Sequence, residues 1–280
     1  MPRSVACRHN GAVSDAPAPP RPDGPQHRGP DAAGPDAPAA ATTGEIPAPA
    51  DATAPVLVGC SHGTDNLRGR AAIRSVLDDV RAARPGLDVR EAFVDVQRPE
   101  LDDVVEEAAA EGRGVVVVPL LLSVGFHVKV DVARAVERPG AAASAPLGPD
   151  ARLVAILLDR LSGVGLRRGD AVVLAAAGST DPAAARAVEA VTAALADPLE
   201  QPVTIGYGAG AGPSVPEAVA AARADVPAGG RVVVASYLLA PGYFHDRVLE
   251  AGADVVTAPL APDERLAEVV LARYDEARLG

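Results

Sequence analysis

The sequence predicts an α/β protein made of two tandem lobes, each a mainly parallel sheet flanked by helices. Three observations carry this. From residue 55 onward short apolar runs alternate with amphipathic stretches, the strongest run is apolar on both faces, and the second half of the chain repeats the first. A strand covered by helices on both sides has no polar face to show, so Val115 to Leu122 (VVVVPLLL) reads as the centre of a parallel sheet.

The elements follow in order. Residues 1–54 are Pro, Ala, Gly and Asp in the main, without aromatic residues or periodicity. Such a segment buries too little apolar surface to offset chain entropy and is expected to be disordered, leaving Cys7, His9 and His27 outside the fold. Val56 to Cys60 (VLVGC) reads as a buried strand closed by Ser-His-Gly-Thr. Leu67, Ile73, Val76, Leu77 and Val80 then fall on one helical face. DVREAFVDV (88–96) reads as a strand and Pro99 to Ala110 as a helix with proline in its first turn. After the Val115 strand, a loop, a helix, a short strand near Pro146 and Leu147, and a helix from Ala151 to Leu161 complete the first unit.

The repeat sets the domain plan: a tail (1–54), an amino-terminal lobe (55–165) and a carboxyl-terminal lobe (166–280), the lobes joined by a polar linker around Gly165 to Gly169. APLGPDARLVAILLDRL (Ala145 to Leu161) matches APLAPDERLAEVVLARY (Ala258 to Tyr274), and GVVVVPLLLSVGFH (Gly114 to His127) matches RVVVASYLLAPGYFH (Arg231 to His245) with one inserted residue. Two such copies are expected to pack about a pseudo-two-fold axis with a ligand cleft between them, which removes the need for a homodimer. Laid on one another, they pair His62 with Gly178, Asp95 with Ala209 and His127 with His245.

Composition excludes several classes of function. A net charge of -11 argues against a generic polyanion binder, and 2% aromatic residues with no Trp leave little surface for stacking single-stranded nucleic acid. Two cysteines rule out a disulfide scaffold or a multi-Cys zinc site. No run approaches the ~18 apolar residues of a membrane helix, and no continuous apolar run near the start suits a signal peptide, so a cytoplasmic protein is expected. The only lysine, Lys129, lacks the flanks of a P-loop, and Gly206 to Gly212 misplaces the third glycine of a dinucleotide loop. Gly59 to Gly63 satisfies G-x-S-x-G, which makes a serine hydrolase through Ser61 a distant alternative; that elbow normally follows several earlier strands, and none precedes it here.

In an open parallel sheet, ligands bind beyond the carboxyl ends of the strands. His62 falls at the end of the first strand, Asp95 at the end of the second and His127 just past the third. Two imidazoles and a carboxylate suit a borderline divalent ion such as Fe2+, Co2+ or Zn2+. The second copy keeps only His245 at these positions and reads as a support for one asymmetric site.

These residues resemble the class II tetrapyrrole chelatases of the CbiX/SirB type, the sirohydrochlorin chelatases. The motifs are S-H-G-T (Ser61 to Thr64), A-F-V-D-V-Q-R-P (Ala92 to Pro99), V-V-V-P-L-L-L-S-V-G-F-H (Val116 to His127) and A-P-L-G-P-D (Ala145 to Asp150), and the resemblance covers about residues 55–278. It implies a chelatase-like fold of two flavodoxin-like lobes with the macrocycle between them. It also implies that His62 and His127 bind metal and take protons, assisted by Asp95 where the family commonly has Glu. The implied reaction inserts Fe2+ into sirohydrochlorin to make sirohaem, or alternatively Co2+ for cobalamin biosynthesis. The metal is a substrate, and no organic cofactor is implied. A non-catalytic metal or tetrapyrrole carrier is the more distant alternative. Because sirohydrochlorin carries many carboxylates, Arg68, Arg70, Arg98, Lys129, His245 and Arg247 are the expected substrate contacts.

Overall fold

The structure, a computed structural model, describes residues 54–123, 125–210 and 212–279, with the side chains of 126–128 excepted. All of residues 1–53, including Cys7, His9 and His27, lie outside the described residues, and the expected disorder of the tail falls there. The described residues belong to one compact unit.

The first half runs β1 (Val56–Ser61), α1 (Leu67–Ala83), β2 (Val89–Phe93), α2 (Leu101–Ala110), β3 (Val115–Pro119), α3 (Phe126–Ala135), β4 (Ala141–Ala143) and α4 (Ala151–Gly163). The second half repeats it as β5 (Ala171–Ala176), α5 (Pro182–Leu199), β6 (Val203–Tyr207), α6 (Val215–Asp225), β7 (Val232–Tyr237), α7 (Tyr243–Leu249), β8 (Val255–Val256) and α8 (Arg265–Arg278). Each half makes a four-stranded, wholly parallel sheet, ordered β2-β1-β3-β4 and β6-β5-β7-β8. No helix among the described residues is long and apolar enough to cross a membrane.

Alternation along each strand sorts the layers. Leu57, Val116 and Val118 of the first sheet and Val172, Leu174 and Val233 of the second face a common inner core with α1, α4, α5 and α8. Val56, Val58, Cys60, Val115 and Val117 face outward under α2 and α3, and Val173, Val232 and Val234 under α6 and α7. Because successive side chains of a strand point to opposite faces, a strand buried in both layers must be apolar throughout, as β1 and β3 are.

The last helix of each half crosses to the other. α4 packs on β7 and α5, whereas α8 packs on β3, β4 and α1, and the two helices meet at the centre. The helix expected to complete the first unit therefore completes the second. Matching arginines fix the exchange. Arg273 of α8 donates to the carbonyls of Pro146 (2.9 Å), Leu147 (3.2 Å) and Pro149 (3.3 Å), and Arg160 of α4 donates to those of Leu260 (3.2 Å) and Pro262 (2.8 Å). Arg84, the C-cap of α1, grips both carboxylate oxygens of Asp275 at 2.7 Å, and the Tyr274 hydroxyl donates to Pro55 O at 2.6 Å.

Other local expectations are corrected. The short strand lies at Ala141–Ala143 rather than near Pro146, because Ala141 to Ala143 pair with Val115 to Val117. Pro99 stays outside α2: its carbonyl accepts from Phe93 N at 3.0 Å, which holds the chain extended until Glu100 caps the helix.

Hydrogen-bond register also shifts two of the three pairings between the halves. Asp95 N donates to His62 O and Ala209 N donates to Ala177 O, and the left-handed glycines that follow are Gly63 (φ 93°) and Gly178 (φ 85°). Asn66 N bonds Thr64 Oγ1, and Asp181 N bonds Ser179 Oγ, both at 3.1 Å. His62 thus corresponds to Ala177, not Gly178, while Asp95 corresponds to Ala209 as expected. Gly125 and Gly242 are the N-caps of α3 and α7, so the second helical residue is His127 in one lobe and Phe244 in the other. His245 stands one position further on. Matching letters paired Asp65 with Asp181, but the residue doing Asp181's capping work in the first lobe is Asn66.

Two predictions follow from this packing. Arg273→Ala leaves several carbonyls unpaired and is expected to cost about 1–3 kcal/mol in urea unfolding. Buried Asp170, at the start of the second sheet, accepts from Arg231 Nη2 at 2.6 Å, and that guanidinium holds its carboxyl well below the usual carboxylate range. A depressed folded-state pKa stabilises at neutral pH and loses that contribution as pH falls below about 4. The Asp170→Asn protein is accordingly expected to show a flatter acid-unfolding profile by circular dichroism.

Candidate functional site

The carboxyl ends of both sheets open on one cleft of about 760 Å³. One wall comes from the β1–α1 and β2–α2 loops and from Leu120 to Ser123 after β3. The other comes from Ala176 to Gly178 after β5 and from Tyr237 to Asp246 around the start of α7. The floor is apolar, with Leu120, Leu122 and Leu239 packed toward the inner core.

His62 is the first residue past β1; it is exposed and lines the cleft. Its loop is held from two sides. Asp95 N donates to His62 O at 3.2 Å, and Thr64 N donates to Gln97 Oε1 at 2.9 Å. A Cβ at Gly63 would come within 2.7 Å of the Asp95 carbonyl, and its φ of 93° is one that side-chain-bearing residues rarely adopt. Glycine here lets the loops bearing His62 and Asp95 lie against each other. Asp95 is exposed, and its Oδ1 accepts from Val96 N at 2.8 Å. Its backbone neighbours His62, but its side chain is not among those lining the cleft. His127 is the second residue of α3, two positions after Gly125 at the cleft wall; its side chain lies outside the described residues. Among the described residues no three His, Cys, Asp or Glu side chains gather into a ligand set.

Of the six expected substrate contacts, Arg70 and His245 line the cleft. Arg70 is half-buried, its Nε donating to Thr64 O at 2.7 Å and one terminal nitrogen meeting Asp65 at 3.2 Å, so its charge is oriented but partly committed. His245 has its Nε2 buried without a hydrogen-bond partner among the described residues. Arg68 is exposed in the first turn of α1, Arg98 pairs with Glu100, and Lys129 is exposed on α3. Arg247 sits 6.0 Å from the centre of the Tyr243 ring. Ser61 is buried at the end of β1, whereas an elbow nucleophile has to be exposed. Cys60 is buried too, and burial pushes its thiol up to about 12, which leaves it unreactive near neutral pH.

Sequence reasoning missed Gln97, which fixes the His62 loop, and the exposed aromatics Tyr243 and Phe244. The signal for the latter was present: in a chain with three Phe and four Tyr, two stand side by side at the start of the helix matching the one with His127.

A profile of the CbiX family matches residues 56–164 and 171–277, one match per half. No curated protein matches the sequence. Among solved structures, SirB from Bacillus subtilis with Fe3+ is 19% identical with a TM-score of 0.68, over 80% of this chain and 95% of that one. The sirohydrochlorin chelatase SirB from Bacillus subtilis subspecies spizizenii, in complex with cobalt, is 18% identical with a TM-score of 0.64, over 80% and 94%. A multi-domain protein of Deinococcus radiodurans with structural similarity to chelatases is 19% identical with a TM-score of 0.58, over 79% of this chain and 54% of that one. At these identities the matches establish the fold. From the geometry alone, Gly63→Ala is expected to lower the melting temperature by several degrees, about 1–3 kcal/mol, as read by thermal unfolding.

Proposed function

The chain belongs to the CbiX family of class II tetrapyrrole chelatases, and on that premise we propose that it inserts a divalent metal ion into sirohydrochlorin. The observation that carries the reading is His62, an exposed imidazole at the carboxyl end of a central strand, lining a cleft between two lobes of the chelatase fold. The chain position of His127, two residues after Gly125 of the same cleft wall, supports it.

Metal insertion removes two protons from pyrrole nitrogens and water from the ion, and one divalent cation replaces the two protons. Neutral imidazole does both jobs: its lone pair holds a borderline metal or accepts a proton, and its reference pKa of ~6.5 lies close to neutrality. In this reading His62 and His127 hold the incoming ion and take up the released protons. Asp95, whose backbone N donates to His62 O while its carboxylate accepts from Val96 N, would have to turn into the cleft to steer or co-ligate the ion. Arg70 faces a substrate carboxylate with whatever charge Asp65 leaves free. Fe2+, which makes the product sirohaem, is the leading metal. Co2+ is the second reading, favoured by the cobalt complex of one structural relative. Imidazole and carboxylate donors suit both, and ion supply then decides between them.

Substoichiometric protein given metal-free sirohydrochlorin with anaerobic Fe2+, and separately Co2+, is expected to convert many equivalents, followed by visible absorption. Conversion stopping at one equivalent would mark a carrier instead. His62→Ala and His127→Ala are each expected to slow insertion by about 10²-fold or more, and near-normal rates in both would overturn the assignment of the imidazoles.

A further inference from the structure

The corrected register between the halves carries a consequence for the second lobe. Where the first lobe has His62, Asp95 and His127, the second has Ala177, Ala209 and Phe244. Every position expected to hold metal is apolar in the copy, and Ala177 and Phe244 still line the cleft, with Tyr243 next to them. We propose that this counterpart site is a bed for the flat face of the tetrapyrrole, with Phe244 and Tyr243 as its stacking side chains. The proposal rests on the reading of the chain as a sirohydrochlorin chelatase and assigns the macrocycle to one lobe and the metal to the other.

Three observations support it. First, the backbone is carved to seat the ring: a Cβ at Gly208 would lie 2.6 Å from Phe244 Cδ1 and 3.2 Å from Cε1, so only glycine lets the ring rest there. The position matching Gly208 in the first lobe is Val94, since Val94 N bonds Ser61 O and Gly208 N bonds Ala176 O. Second, the aromatics are exposed where exposure is unfavourable. Tyr243 is 71% and Phe244 37% exposed, whereas Phe93, Tyr237 and Tyr274 are buried. The pair is edge-to-face with centres 5.5 Å apart, which leaves ring surface for a planar ligand. Third, Arg247 lies against the Tyr243 ring, placing a cation beside the aromatic surface. A tetrapyrrole combines an apolar π face with a rim of carboxylates, and an aromatic shelf with one guanidinium at its edge complements both parts. Its position opposite His62 would present the pyrrole nitrogens toward the lobe that holds the ion.

Binding of metal-free sirohydrochlorin, read from its own absorption and fluorescence, and binding of Co2+ alone, read by calorimetry, separate the two lobes. Tyr243→Ala combined with Phe244→Ala is expected to weaken macrocycle binding about tenfold or more, raising KM while kcat and Co2+ affinity are retained. Gly208→Ala, which displaces the Phe244 ring without removing it, is expected to shift macrocycle binding in the same direction, and Tyr243→Phe alone, which keeps the ring, is expected to retain wild-type binding. Wild-type macrocycle affinity in both the double variant and Gly208→Ala overturns the proposal, as does Co2+ affinity falling in parallel. A wild-type protein that binds no sirohydrochlorin overturns the chelatase reading itself, and this proposal with it.

Discussion

The exchange of α4 and α8 is the constraint on which the rest depends. Each sheet is closed on its inner face by a helix from the other half, so the inner core from Leu57 to Tyr274 is continuous across both lobes. Burying each Leu or Ile of that core contributes roughly 1.5–3 kcal/mol, and neither lobe buries its own set alone. The cleft walls are therefore two faces of one packed body rather than two hinged domains. The cleft is accordingly lined by residues of both halves.

Within that frame, the two halves use the same turns to present different side chains. Both first strands end in a left-handed glycine, and in both an N-cap side chain starts the next helix. What differs is the residue just before the glycine, histidine in one lobe and alanine in the other. Duplication of a fold preserves the backbone hydrogen bonds, because unpaired amide groups are costly everywhere. Side chains projecting into a cleft carry no such obligation and are free to diverge. The asymmetry of the site is thus confined to the strand ends, where the fold tolerates it.

The electrostatics of the cleft are modest for a protein of net charge -11. Most arginines near the strand ends are spent on neighbouring carboxylates: Arg70 on Asp65, Arg98 on Glu100 and Arg74 on Glu91. Exposed pairs of this kind contribute little to stability, about 0–1 kcal/mol. They do hold the guanidinium groups in place beside their carboxylate partners. What the cleft leaves open is largely apolar, a leucine floor and an aromatic rim.

The fold class, the repeat and the sheet edge that opens on the cleft were legible in the sequence, because each rests on local physics. Apolar runs such as Val115 to Val118 bury both faces, Pro and Gly interrupt them, and His62 faces solvent where the first strand ends. Register and partnership were not. Whether His62 matches Gly178 or Ala177 depends on hydrogen bonds between loops more than 30 residues apart, as in Asp95 N to His62 O, and letter identity at Asp181 pointed one residue off. Likewise, nothing in Ala151 to Leu161 says which sheet its apolar face will meet, since either sheet offers the same valines. Tertiary packing made that choice, because only a crossed pair of helices buries both inner faces at once.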